Sequence, residues 1–131
     1  MLLDTSGLMC LFDQREHQHA RAVELYNASR ARLTHNYVLA EFVALAHARH
    51  APRALALEFA ASLLNNSRVE LIWVGAPLHQ SALTLLQQRL DKDWSLCDAV
   101  SILLMQQRGF TEALTTDHHF EQAGFTRLLK P

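Results

Sequence analysis

Four carboxylates stand as lone charges in apolar company. Asp4 follows Met1, Leu2 and Leu3, and Glu41 is the only charge between Tyr37 and Ala46. Asp98 is the only charge between Trp94 and Met105, and Asp117 closes the run that begins at Ala113. A carboxylate removed from water loses several kcal/mol of solvation unless it is paired or coordinates a metal. Gathered into one pocket, the four would form a site for a hard divalent cation, which takes oxygen ligands. Each also has an ordinary explanation. Asp98 completes a capping box with Ser95, Asp117 caps a short helix, and Asp4 fits a turn after a strand. Glu41, in mid-helix among apolar residues, would need a buried arginine.

The elements decide whether the acids can meet. Short strand-like runs alternate with longer helical ones, and no hairpin turn joins them. Leu2–Asp4 reads as a very short first strand, Arg32–His35 as a second, and Arg68–Val74 as the clearest, rich in β-branched and aromatic residues. Ala113–Thr116 and Phe125–Leu129 supply a fourth and a fifth. Helices are expected over Ser6–Phe12, His17–Ala31, from Asn36 (as cap) to about His50, from Pro52 to about Leu64, and from Pro77 to about Leu90. Leu96–Arg108 follows the Ser95 cap and stops at Gly109, and His118–Ala123 is a short last helix. This alternation predicts a parallel sheet covered on both faces. Ligands of such sheets bind beyond the carboxyl ends of the strands. Asp4 and Asp117 fall at such ends, and Glu41 and Asp98 lie in early turns of helices that start from the same edge.

Composition narrows the classes. At 131 residues the chain has the length of one domain that buries roughly two-thirds of its unfolded surface. The net charge of −1 advertises no global positive field toward nucleic acid. The basic residues are nearly all arginine, which suits phosphate, and Arg49 and Arg53 with His47 and His50 form either a local patch or a solvated helix–helix turn. Cys10 and Cys97 read as reduced core residues of a cytoplasmic protein. No signal segment opens the chain, and the longest apolar run, five residues, cannot span a bilayer. His47 with His50, and His17 with His19, lack the partners of a zinc site and read as surface histidines. The apolar stripe in Arg53–Leu64 reads as core or dimer interface.

Leu3-Asp-Thr-Ser-Gly-Leu8, the helix around Ala40 and Glu41, Trp94-Ser-Leu-Cys-Asp98, and the stretch from Leu114 through Asp117 to Phe125 occur in this order. On these motifs the whole chain, residues 1–131 as one domain, resembles PIN-domain ribonucleases, most closely the VapC-type toxins of bacterial toxin–antitoxin pairs. No carboxylate position departs from the family pattern. The resemblance implies a three-layer α/β/α sandwich with a five-stranded parallel sheet in the order 3-2-1-4-5. It implies a Mg²⁺- or Mn²⁺-dependent endoribonuclease acting on single-stranded or loop RNA, as a homodimer inhibited by a cognate antitoxin. Asp4 and Asp98 are then expected as the main metal ligands and Asp117 as a third. Glu41 would bind the metal directly or through water, or orient the nucleophile. Thr5, Ser6, Ser95 and Thr115 would orient these ligands through their hydroxyls. A metal at such a site acidifies the attacking water and, in a two-metal arrangement, stabilises the leaving oxygen.

Two other functions compete. A phosphotransfer or phosphatase domain would want a second Asp at position 6, which is Ser6, or a phospho-acceptor Asp after the third strand, where Val74–His79 offers none. A catalytically silent PIN-fold module would bind metal or RNA without cutting.

Overall fold

In the computed structural model, which describes residues 1–131, five strands form one parallel sheet in the order β3-β2-β1-β4-β5. Along the chain the elements are β1 (Leu2–Leu3), α1 (Thr5–Phe12), α2 (His19–Ala28), β2 (Leu33–His35), α3 (Asn36–Ala48) and α4 (Arg53–Leu64). They continue with β3 (Glu70–Ile72), α5 (Ala76–Gln88), α6 (Leu96–Arg108), β4 (Glu112–Leu114), α7 (His119–Gln122) and β5 (Thr126–Arg127). Successive strand residues face opposite sides, and Leu2 and Leu3 show the result. Leu3 joins Leu8, Phe42, Leu63 and Leu114 in a core under α1–α4. Leu2 joins Leu33, Val100, Met105 and Phe120 under α5–α7. The three layers and the strand order are those that the resemblance implies.

Both faces of β1 and β2 are buried; β1 reads as an apolar run, whereas β2 buries Thr34 and His35 beside Leu33. Phe12, Phe42 and Phe59 meet with ring centroids 5.2–5.6 Å apart, fastening α1, α3 and α4 together. Helix α6 is the best-defined single element. Ser95 and Asp98 close a reciprocal capping box at its start, and Gly109, at φ 68°, ends it in the left-handed conformation. Both expectations for that helix hold.

Several boundaries differ from expectation. Asn36 does not cap α3; its side chain accepts a hydrogen bond from Val74 N–H instead, at 2.6 Å. The stretch Arg68–Val74 forms only three strand residues, because β3 is a sheet edge with half its surface open. Helix α2 is also shorter than His17–Ala31, since the polar residues flanking it are held in turns.

Gly7 fixes how α1 lies on the sheet. A Cβ there would stand 2.0 Å from the Leu114 carbonyl oxygen, which already accepts Asp4 N–H at 3.2 Å. The carbonyl is sheet backbone and cannot move aside. Gly7→Ala should therefore cost about 3 kcal/mol or more, a fall in Tm on the order of 10 °C. An unchanged melting curve would show that α1 does not press on β4.

Candidate active site

Strand register brings the first residues of the site together. Leu2 pairs with Leu33 and Leu3 with Leu114, so one step further along Asp4 has Thr115 on one side and His35 on the other. Asp98, in the first turn of α6, faces this row from the capped end of its helix. Asp117 lies in the loop between β4 and α7, and Glu41 is on α3.

Hydrogen bonds then join the acids. Thr115 Oγ1 donates to Asp4 Oδ2 at 2.8 Å and accepts Asp117 N–H at 3.0 Å. Its one proton is committed to Asp4, so in the 3.0 Å pair with Ser6 it is Ser6 that donates. Ser6 Oγ also accepts Thr116 N–H at 2.9 Å. On the other side, Asp98 Oδ2 accepts Ser95 N–H at 3.0 Å and His119 Nδ1–H at 2.9 Å. His119 Nδ1 also lies 3.3 Å from Asp117 Oδ2, and its backbone N–H donates to Asp117 Oδ1 at 2.9 Å. Carboxylates on two sides of Nδ1 place the ring proton there.

The electrostatics follow from burial and crowding. Asp4 is almost fully buried. Burial pushes its carboxyl up to about 7; Asp98 and Glu41 add to the rise, and the bond from Thr115 opposes it. The Cys97 thiol is raised strongly, first by burial and then by Glu41 and Asp4, and stays protonated. These shared influences put Glu41 beside Asp4 and Cys97. No three of the four carboxylates bring ligand oxygens within 4.8 Å of one another; Asp117, His118 and His119 form the one group that does. The acids therefore do not form a tight cluster. Oxygen donors spaced this way suit a cation that keeps several of its waters and takes only one or two carboxylates directly.

The four predicted acids lie at one edge of the sheet, but their environments differ. Asp4 and Asp98 are buried, Asp117 is half-buried, and Glu41 is exposed. The buried arginine that a sequestered Glu41 would need is not required. The ordinary explanation of Asp98 as a capping-box acid holds, and the oxygen that serves the cap also accepts from His119. Among the hydroxyls, only Thr115 touches a carboxylate. Ser6 acts through Thr115, and the exposed Ser95 orients Asp98 with its amide. Thr5 Oγ1 is buried without a partner. From sequence, His118 and His119 are expected to flank the site, with His119 supporting its loop; His119 does so through its amide, which reaches back to Asp117, and its ring also bonds Asp98. Arg127 was missed: it donates to the Thr116 carbonyl at 3.0 Å and steadies the loop carrying Asp117. No sequence signal marks that contact. The remaining histidine pairs join no metal-capable group.

Known proteins give this geometry a context. The family model described as PIN domain matches residues 1–126. The 23S rRNA-specific endonuclease VapC20 of Mycobacterium tuberculosis, found alike in strains CDC 1551 and H37Rv, is 31% identical over 98% of this chain and 97% of its own. The crystal structure of Mycobacterium tuberculosis VapC20, described as a Sarcin-Ricin loop cleaving toxin, superposes with a TM-score of 0.88 at 27% identity, covering 99% of this chain and 98% of that one. The chain belongs to the PIN-domain family, among its VapC-type ribonucleases.

Proposed function

We propose that this protein is the toxin of a VapBC-type pair, an endoribonuclease that hydrolyses RNA phosphodiester bonds at the acid cluster with Mg²⁺ or Mn²⁺. The observation that carries this reading is Asp4: a buried carboxylate, crowded by Asp98 and Glu41, with no basic side chain bonded to it. Such a group is stable as an anion only beside a cation. Asp4, Asp98 and Asp117 would hold that cation. When bound, it supplies a grip on the scissile phosphate and a lowered pKa for the attacking water. The chain's own residues do the positioning. Thr115 and the Ser95 amide each hold Oδ2 of an aspartate, Thr115 at Asp4 and the amide at Asp98, and so fix how these carboxylates are turned. Glu41, exposed on α3, is suited to orient a water.

The names of the relatives make the sarcin-ricin loop of 23S rRNA the first substrate to try. Arg49 shares a small cavity with Ser6 and Thr116 at the site's rim. Its exposed ion pair with Glu16 is weak enough to exchange for a phosphate. We also propose that the whole chain works as one PIN unit in the cytoplasm, as a homodimer, and that a cognate antitoxin silences it. Leu57 and Leu64, exposed on one face of α4, support the dimer. No helix is long and apolar enough to cross a membrane.

Purified protein should cut RNA with Mg²⁺ or Mn²⁺ and stop when the metal is chelated. Asp4→Asn and Asp98→Asn should each lose at least about 100-fold in rate. Wild-type inactivity with intact folding would favour the silent module, and equal activity in both variants would end the site assignment.

Stability should depend on pH through two opposed groups. Asp4 is raised from 3.8 to about 7 in the folded state, so metal-free stability falls as pH rises through that interval. His35, buried at the end of β2, is lowered by burial from 6.5 to about 4, so its contribution is lost as pH falls from 6.5. The two offset each other between about 4 and 6.5. Melting in chelator should thus be nearly flat there for wild type and decline toward 7. For Asp4→Asn it should rise from 4 to 6.5 by an amount on the order of a few kcal/mol. Parallel profiles for the two proteins would contradict the placement of Asp4.

A further inference from the structure

The two tryptophans of this chain are treated very differently by the fold. Trp94 is 8% exposed and bonded to Gln122, whereas Trp73 is 68% exposed. Trp73 follows β3 directly, and Ile72 pairs with His35, which puts the indole on the same carboxyl edge as Asp4. Two strand spacings separate β3 from β1, about 10 Å along that edge. Its support is stiff. The next residue, Val74, is tied through its N–H to Asn36 at the start of α3, the helix that carries Glu41. Tyr37 is hydrogen-bonded to His79, joining α3 to the first turns of α5.

We propose that Trp73 is a stacking platform for an unpaired base of the RNA, close to the bond being cut. This rests on the ribonuclease reading above and adds a binding determinant to it. Two observations favour a base. The protein has a net charge of −1 and an acid-lined site, so attraction to phosphates supplies little of the affinity. Unpaired bases in loops present flat faces, and an aromatic ring accepts any of them. The residues that anchor the loop after Trp73 include the polar side chains of Asn36 and His79. The other exposed large apolar side chains are Leu55, Leu57 and Leu64 on α4, Leu83 on α5 and Leu90 in the loop after α5. A lone indole does not resemble the contiguous apolar centre of a subunit interface.

The test uses fluorescence and kinetics on the full chain. In Asp4→Asn protein, which leaves RNA uncut, adding a short single-stranded RNA of mixed sequence should quench the tryptophan emission. The quench should disappear when Trp73→Phe is added, because only buried Trp94 remains. With the active site intact, Trp73→Ala should raise KM about tenfold while kcat falls far less, and Trp73→Phe should recover most of the loss. Trp73→Ala with unchanged KM, beside an inactive Asp4→Asn, would overturn the platform and leave the ribonuclease reading standing. Loss of the dimer in Trp73→Ala by sedimentation, with KM unchanged, would also overturn it by assigning the ring to a contact between copies. Inactive wild-type protein that still shows the quench would instead defeat the ribonuclease reading alone.

Discussion

A carboxylate buried at the end of the first strand has to be held by something, and in this protein nothing basic holds it. Asp4 is supported by Thr115 and by the Thr5 backbone, while its charged neighbours are acids that make its ionisation harder. Much of the surrounding structure keeps this unfavourable arrangement intact. Gly7 lets α1 lie against Leu114, so the residue that begins that helix stays over β4. The Ser6–Thr115 pair and Arg127 fix the loop that carries Asp117. The capping box of α6 sets Asp98 opposite. Stability is spent on holding like charges at a fixed spacing.

His119 gives the site a second character. Its Nδ1–H lies between Asp98 and Asp117, so it separates two acids that would otherwise face each other directly. The site thus has two parts joined at Asp98. One, toward β1, consists of Asp4, Asp98 and Glu41 with the buried Cys97 thiol beneath. The other, toward α7, consists of Asp98, His119 and Asp117. Asp117 is half-buried and Glu41 exposed, so each part of the site has one acid within reach of solvent.

Sequence reading recovered what depends on local chemistry. The Ser95–Asp98 cap, Gly109 and the apolar runs of β1 and β4 signal their own structure, since caps and burial act within a few residues. Lone acids in apolar stretches pointed to Asp4 and Asp98 for the same reason. Glu41 misled, because its apolar neighbours Phe42 and Ala46 are core while the helix turns residue 41 outward. Asn36 looked like a cap and instead serves Val74, a partner 38 positions away. The bonds from Arg127 to Thr116 and from His119 to Asp98 likewise arise only when distant segments pack. The strand order came from resemblance to a family, not from the pattern of residues.

Acids from four separate segments should enclose one place for a divalent cation. Anomalous diffraction from crystals grown with Mn²⁺ tests it most directly. The account predicts a strong peak within ligand distance of Asp4 or Asp98, in the space those two share with Asp117 and Glu41. Mn²⁺ found only at surface carboxylates elsewhere, with that space filled by solvent alone, would contradict it.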